Sequence, residues 1–334
     1  MAAGRLGLLP AAAAILALLA SCNAAPLSQS PETLGPTRAA KAQGVEEGTS
    51  PAPAPPAPPF TPPSTPASAP ILAPTPAPAP TRPAKFVFSG ELIQGGWIRG
   101  QAPAGALSAQ LGTKELVLDG QGRFFAAFDR DAGAIASLSA RVEGGRAIES
   151  LIAISPRAWK IERINLARPT GAASKAFMVR RRPELAQINA ARRVNADSDG
   201  WRQTFIWPVK GRISGRFGSQ RIYAGVPGSY HSGIDIATGK TGTPFVAPAD
   251  GVVVLAASRP FSLEGYLLII DHGMGLNSAF LHNSKIAVKV GDKVKQGQHI
   301  GNIGSTGSAT GPHLHWGIKW RDARLDPLLF AGPM

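Results

Sequence analysis

The chain has 334 residues, room for one or two domains plus extended segments, and 44% of them are hydrophobic, which allows real cores. Its 31 Pro and 38 Gly are too many to sit inside helices and strands, so part of the chain is linker or turn-rich β structure. Lys and Arg number 35 against 21 Asp and Glu, a net charge of +14. That excess serves either general solubility or attraction to a polyanion. No helix-turn-helix pattern, zinc-finger spacing or aromatic-basic RNA motif accompanies it, which argues against a nucleic-acid partner. One cysteine, Cys22, leaves no internal disulfide and no Cys-rich metal site.

Residues 1–22 read as an export signal: Arg5 is a short positive region, and Leu6 to Ala20 is an apolar run too short for a comfortable membrane span. The run ends Leu19-Ala20-Ser21-Cys22, which resembles the bacterial lipobox, whose Cys becomes lipidated and N-terminal after cleavage. An ordinary cleaved signal is the alternative, and Pro26 disfavours cleavage after Ala25. With export, a carboxylate- and phosphate-rich cell wall becomes the better polyanion. Residues 23–84 are dominated by Pro, Ala, Ser and Thr and bury too little apolar area to offset their ordering entropy. They should form a disordered, polyproline-like tether rising roughly 3.1 Å per residue, with a reach on the order of 100 Å.

Residues 85–166 read as a small β-sandwich-like domain of open role. Its β-prone runs are Phe86–Phe88, Glu91–Ile98, Leu116–Leu118, Arg123–Phe128, Ala136–Val142 and Leu151–Ile154, divided by turns such as Asp119-Gly120-Gln121-Gly122. Residues 167–200 form a linker with a helix expected over Pro183–Val194, Pro at its N-terminus and Leu185, Ile188 and Ala191 near one face. Residues 201–334 return to short strands: 211–217, 251–256, 265–271, 277–282, 299–303 and 313–320. No long amphipathic helix separates them, so an antiparallel β domain is expected and the chain is mainly β.

All six histidines fall between Tyr230 and Trp316. His231 and Asp235, four apart, would share a helix face, but Gly233 between them argues for an extended strand, where an even separation again puts both on one side. His313-Leu314-His315 places two imidazoles on one face of a second strand. The two clusters supply imidazoles and a carboxylate with a position left for water, the donor set of a catalytic zinc site. The bland alternative is that such histidines pack, cap turns or sit in solvent. His272 reads as a structural turn residue, His299 as exposed, and Tyr230 and Tyr266 as edge aromatics or groove walls.

His231-x-x-x-Asp235 and His313-Leu314-His315 together resemble the two signature motifs of the lysostaphin/LytM-type zinc metallopeptidases. Phe217-Gly218, Ala247 to Val253, Asp271-His272-Gly273, Val290 to Gly301 and the Gly304–Gly311 loop resemble that family's turns. The resemblance covers about Trp201 to Pro327. It implies Zn2+ held by His231, Asp235 and His315, with His282 and His313 as catalytic residues flanking the open position. It implies metal-assisted amide hydrolysis in peptidoglycan cross-link peptides, with either flanking histidine as the base. Phe280 stands where the family has Tyr before its x-His, and Trp316-Gly317 where an acidic residue often follows the pair. With a lipobox and a long tether, the resemblance points to a D,D-endopeptidase on the periplasmic side of the envelope, lipid-anchored to a membrane, the outer one being expected. The rival reading is a non-catalytic wall-binding regulator that activates a separate amidase; such members typically lose zinc ligands, and this chain keeps all three. A lipoyl- or biotinyl-carrier hairpin at Val290–Gly301 is set aside, because Lys293 lies in an ordinary Gly-Asp turn. The sequence carries no signature of oligomeric state.

Overall fold

The first strands are short and divided by glycine turns: β1 (Val87–Gly90), β2 (Trp97–Gln101), β3 (Ala106–Leu111), β4 (Lys114–Glu115), β5 (Arg123–Ala127), β6 (Ile135–Val142), β7 (Ala147–Ala153) and β8 (Ile161–Ile164). This is a computed structural model that describes residues 82–167 and 174–334. The export segment, Cys22 and all of the tether before residue 82 lie outside the described residues. Two antiparallel sheets, ordered β1-β2-β5 and β4-β3-β6-β7, contribute Ile98, Phe124, Leu138 and Ile152 to one buried cluster. The turn before β5 forms as expected: Asp119 Oδ1 accepts the N–H groups of Gln121 (2.9 Å) and Arg123 (2.8 Å), and Gly122 takes φ +74°.

Two strand expectations change, and β3 forms where no strand was expected. The run from Glu91 to Gly96 is a turn, closed by Gly96 N–H on Ile93 O (2.8 Å) with Gly95 at φ +79°, so the strand begins only at Trp97. Leu116–Leu118 lies outside any strand. β3, whose Ala, Ser and Gln give it little intrinsic strand preference, pairs with both β4 and β6.

The helix also moves. α1 spans Lys175–Ala191, with Ser174 Oγ accepting Phe177 N–H at 3.1 Å as its N-cap, and Pro183 lies inside it. A proline there costs about 3 kcal/mol in an isolated helix. Tertiary bonds flank it: Arg181 grips both carboxylate oxygens of Glu264 (2.6 and 2.7 Å), and Glu184 accepts Ser262 N–H (2.8 Å). The buried face is Arg181, Ile188 and Ala191, while Leu185 is exposed.

The remaining strands are β9 (Arg212–Gly215), β10 (Gln220–Tyr223), β11 (Val226–Pro227), β12 (Ile234–Ala237), β13 (Pro244–Val246), β14 (Gly251–Ala256), β15 (Tyr266–Asp271), β16 (Leu276–Asn283), β17 (Lys285–Ile286), β18 (Lys293–Val294), β19 (His299–Asn302), β20 (Leu314–Trp320) and β21 (Ala323–Leu325), followed by a short α2 (Leu328–Ala331). The main sheet runs β18-β14-β15-β16-β20-β12-β9, with β21 on β20, and a second sheet runs β13-β19-β17. The protein is thus mainly β, as expected. Among the described strands, β8 departs from the antiparallel rule and lies parallel to β10, Ile161 opposite Gln220.

The described residues belong to one compact unit. Phe125 packs on Trp97, Trp320 and Phe330, and Trp97 Nε1–H donates to Leu329 O at 3.0 Å. Arg130 donates to Gly218 O (3.1 Å), and Trp159 meets Phe217 edge-on at 5.7 Å. The early sheets and the later domain therefore share a core.

Under the main sheet, His272 is a buried structural residue. Its Nδ1–H donates to Asp250 O (2.8 Å), its Nε2 accepts from Ser278 Oγ (2.9 Å), and Ser278 Oγ accepts Trp316 Nε1–H (3.2 Å). The chain uses both ring nitrogens with one proton, so burial pushes the imidazole down to about 4. Its neighbour Asp271 is pushed up to about 6 by burial, against N–H bonds from Gly273 and Ala196. The signs oppose. Between pH 6.5 and 4 the unfolded state binds the extra proton at His272, so acidification destabilises; between pH 6 and 3.8 the folded state binds it at Asp271, so acidification stabilises. Each contribution is about 3 kcal/mol. Asp271→Asn removes the stabilising one. Measured by urea unfolding, its stability relative to wild type should fall by about 2 kcal/mol from pH 7 to pH 4; a pH-independent difference would contradict this assignment.

Candidate metal centre

β12 and β20 are antiparallel neighbours in a register that sets Asp235 opposite His315. Ile234 and Ile236, Leu314 and Trp316 are buried, so the alternation turns Asp235 and His315 to the other face. His315 Nδ1 lies 2.9 Å from Asp235 Oδ1, His231 Nε2 lies 3.1 Å from the same oxygen, and the two ring nitrogens are 3.0 Å apart. All three atoms lie within 4.8 Å of one another.

These residues fit a metal. Around a tetrahedral ion with bonds of about 2.0–2.1 Å, donor atoms stand roughly 3.3 Å apart, close to the separations seen here. His231 Nδ1–H donates to Arg216 O at 3.1 Å, which leaves its Nε2 lone pair facing the cluster, as in metal-binding histidines whose second nitrogen is held by a carbonyl. Burial opposes ionisation of Asp235, but the hydrogen bonds and positive charge of His231 and His315 prevail and hold its carboxyl far below the usual carboxylate range. The donor set of two imidazoles and one carboxylate is borderline-soft, suited to zinc.

His231 is not on the strand. β12 begins at Ile234, and His231 lies in the loop before it. Gly233 explains the turn back: a Cβ there would sit 2.5 Å from Trp316 O and 2.7 Å from His315 Nε2. Gly215 on β9 is equally required, since a Cβ would collide with Asp235 Oδ2 and approach His231 Cε1 to 3.1 Å. Sequence reasoning used Gly233 only as an argument against helix and did not single out Gly215.

His313 and His282 stand beside the cluster. His313 pairs with Gly304 in a single bridge just before β20, its Nδ1–H donates to Gly311 O (2.8 Å), and its Nε2 lies 3.6 Å from Asp235 Oδ1. His282, near the end of β16, takes φ +66°, a left-handed conformation rare outside glycine. Its N–H on Glu264 O and its Nδ1–H on Thr306 O, both 2.8 Å, hold it there. The His282 and His313 rings are 4.9 Å apart and the His282 and His315 rings 6.3 Å. Burial, with the nearby His313 and His315, pushes the His282 imidazole down against the opposing bond to the Thr306 carbonyl. The structure therefore brings His231, Asp235, His315, His313 and His282 to one place, while His299 is exposed, as expected. The two departures from the family motif fall in the core: Phe280 is buried against Phe245 (5.3 Å), and Trp316 bonds Ser278.

A cleft of about 870 Å³ opens at the cluster, and Lys160, Glu162, Arg216, Arg221 and Tyr230 line it along with His231 and Asp235. Lys160 and Glu162 come from the segment entering β8, some 70 residues before Asp235 in the chain. No sequence signal marked them.

Residues 229–327 match the model of peptidase family M23. The peptidoglycan DD-endopeptidase ShyA of Vibrio cholerae serotype O1 is 43% identical over 131 residues, 38% of this chain and 30% of that protein. The murein hydrolase activator NlpD of Escherichia coli strain K12 is 36% identical over 129 residues, 38% of this chain and 31% of that protein. The matched region thus spans about a third of the length of these relatives. A putative peptidase M23 from Pseudomonas aeruginosa is similar in structure, with TM-score 0.56 and 28% identity, covering 73% of this chain and 96% of that one. That share extends well beyond the family match, into the strands that precede it. These C-terminal residues therefore form a peptidase M23 domain, of the LytM/lysostaphin type.

Proposed function

We propose that the protein is a zinc metalloendopeptidase that hydrolyses peptidoglycan cross-link peptides, as a D,D-endopeptidase, in the cell envelope. The observation that carries the reading is the convergence of His231 Nε2, Asp235 Oδ1 and His315 Nδ1 beside a cleft, with the imidazoles of His282 and His313 next to the cluster. The 43% identity to a DD-endopeptidase supports the substrate class.

His231, Asp235 and His315 would hold the ion, which when bound polarises a carbonyl and lowers the pKa of water toward about 7. The chain's own residues supply the proton handling. The carbonyls of Gly311 and Thr306 fix the Nδ1–H tautomer of His313 and His282, leaving each Nε2 free to accept a proton from the attacking water. Once protonated, the same Nε2 can donate to the oxyanion of the tetrahedral intermediate or to the departing amine. The exposed cations Arg216 and Lys160 on the cleft wall suit the free carboxylates of wall peptides.

The similarity to a murein hydrolase activator favours a second reading, a wall-binding regulator without catalysis. The complete donor set and the two flanking histidines weigh against it. The test is release of muropeptides from purified sacculi by the full chain, followed by mass spectrometry. Chelator should abolish release and zinc restore it. His315→Ala and Asp235→Ala should lose metal and activity together, whereas His313→Ala should keep most of its metal and lose at least 100-fold in rate. Full turnover by Asp235→Ala would overturn the assignment. Absence of release by metal-loaded wild type, with stimulation of an added amidase, would establish the regulator.

The envelope location rests on lipidation of Cys22. Metabolic labelling with a palmitate analogue should mark wild type and not Cys22→Ala; equal labelling would remove the anchor from the proposal.

A further inference from the structure

A second cavity, of about 460 Å³, lies where the C-terminal end of α1 meets the turn from β20 to β21. Its lining includes Asn189, Arg192, Arg193, Lys319, Arg321 and Asp322. Four of these side chains are cations and one is an anion, and Asp322 is already bonded to a fifth cation, Lys114, at 2.8 Å. Among the described residues, none of the four lining cations forms an ion pair. Arg192 Nε is buried and has no hydrogen-bond partner. Arg99, Arg130 and Arg202 share that state elsewhere in the fold, so what sets this place apart is the gathering of four unpaired cations around one cavity.

The charges work against one another. Lys319 is pushed down to about 8, first by burial and then by the positive charges of Arg192 and Arg324, with Asp322 and Asp129 opposing. Arg192 is also lowered, by burial and by Arg324, with Glu264 opposing. Lys319 stands four residues beyond His315 on β20, roughly 13 Å along the strand, so this cavity is separate from the metal cluster.

We propose that this cavity is a binding site for a phosphate group. Three guanidinium groups and one ammonium suit a dianion, and planar guanidinium groups engage phosphate oxygens in pairs. A volume near 460 Å³ exceeds a bare phosphate and suits a phosphate ester, either a phospholipid headgroup or a soluble phosphorylated compound. Arg193 and Arg321 are exposed, and Lys319 and Arg192 are half-buried. Occupation would relieve the repulsion on Lys319.

The test is thermal unfolding of the full chain at pH 7 against inorganic phosphate, with chloride matched for ionic strength. Wild type should show a saturable rise in Tm with phosphate and none with chloride. Lys319→Met should weaken the apparent affinity at least tenfold, and Arg193→Gln, an exposed change that keeps the test open if the first variant does not fold, several-fold. A soluble short-chain phosphatidylglycerol, kept below its micelle concentration, distinguishes the sources. Tighter binding than inorganic phosphate identifies a lipid headgroup, and equal or weaker binding identifies a soluble ester. Equal shifts from chloride and phosphate, or unchanged affinity in both variants, would overturn the proposal.

Discussion

Register between β12 and β20 is the constraint on which the rest depends. Asp235 faces His315 because Ile234, Ile236, Leu314 and Trp316 are committed to the core on the other side. A slip of one residue would turn Asp235 inward and send isoleucines into the cleft. The same alternation thus secures the hydrophobic core and aims the polar donors. Desolvating a carboxylate and two imidazoles at the middle of a sheet is costly, and at Asp235 the bonds from His231 and His315 outweigh that cost. A divalent cation would take up the lone pairs that these three donors turn toward one another.

Around that register the structure leaves no slack. Gly215 and Gly233 give the two strands and the preceding loop room to converge, and the Asp250–His272–Ser278–Trp316 chain of hydrogen bonds fixes the residue next to His315 from beneath. The earlier β module takes part as well. Its packing through Phe125, Trp97 and Arg130 fixes β8 beside β10, and that pairing brings Lys160 and Glu162 to the cleft wall. A module with no chemical motif of its own thereby shapes the surface that meets the ligand.

Much of this was legible in the sequence because periodicity and histidine spacing are local signals. The strand pattern of the later domain, and the five residues gathered at the cluster, could be read from short stretches around 231–235, 282 and 313–315. What could not be read were properties set by distant partners. The Pro183 helix extends two turns earlier than its sequence suggests, because Glu264 and Ser262 hold Arg181 and Glu184 in place. β3 forms because its neighbours template it. His231 reaches the cluster from a loop, not along a strand face, since Gly233 lets the chain pass close to Trp316. The parallel β8–β10 pair and the cationic cavity at the end of α1 likewise join segments more than 50 residues apart.

The most direct measurement is zinc X-ray absorption on the purified, metal-loaded protein. Two imidazole nitrogens and a carboxylate oxygen, completed by one solvent oxygen, should give a four-coordinate spectrum with bonds of about 2.0–2.1 Å and imidazole multiple scattering that diminishes in His315→Ala. A six-coordinate, all-oxygen spectrum, or one unchanged by that substitution, would contradict the central claim.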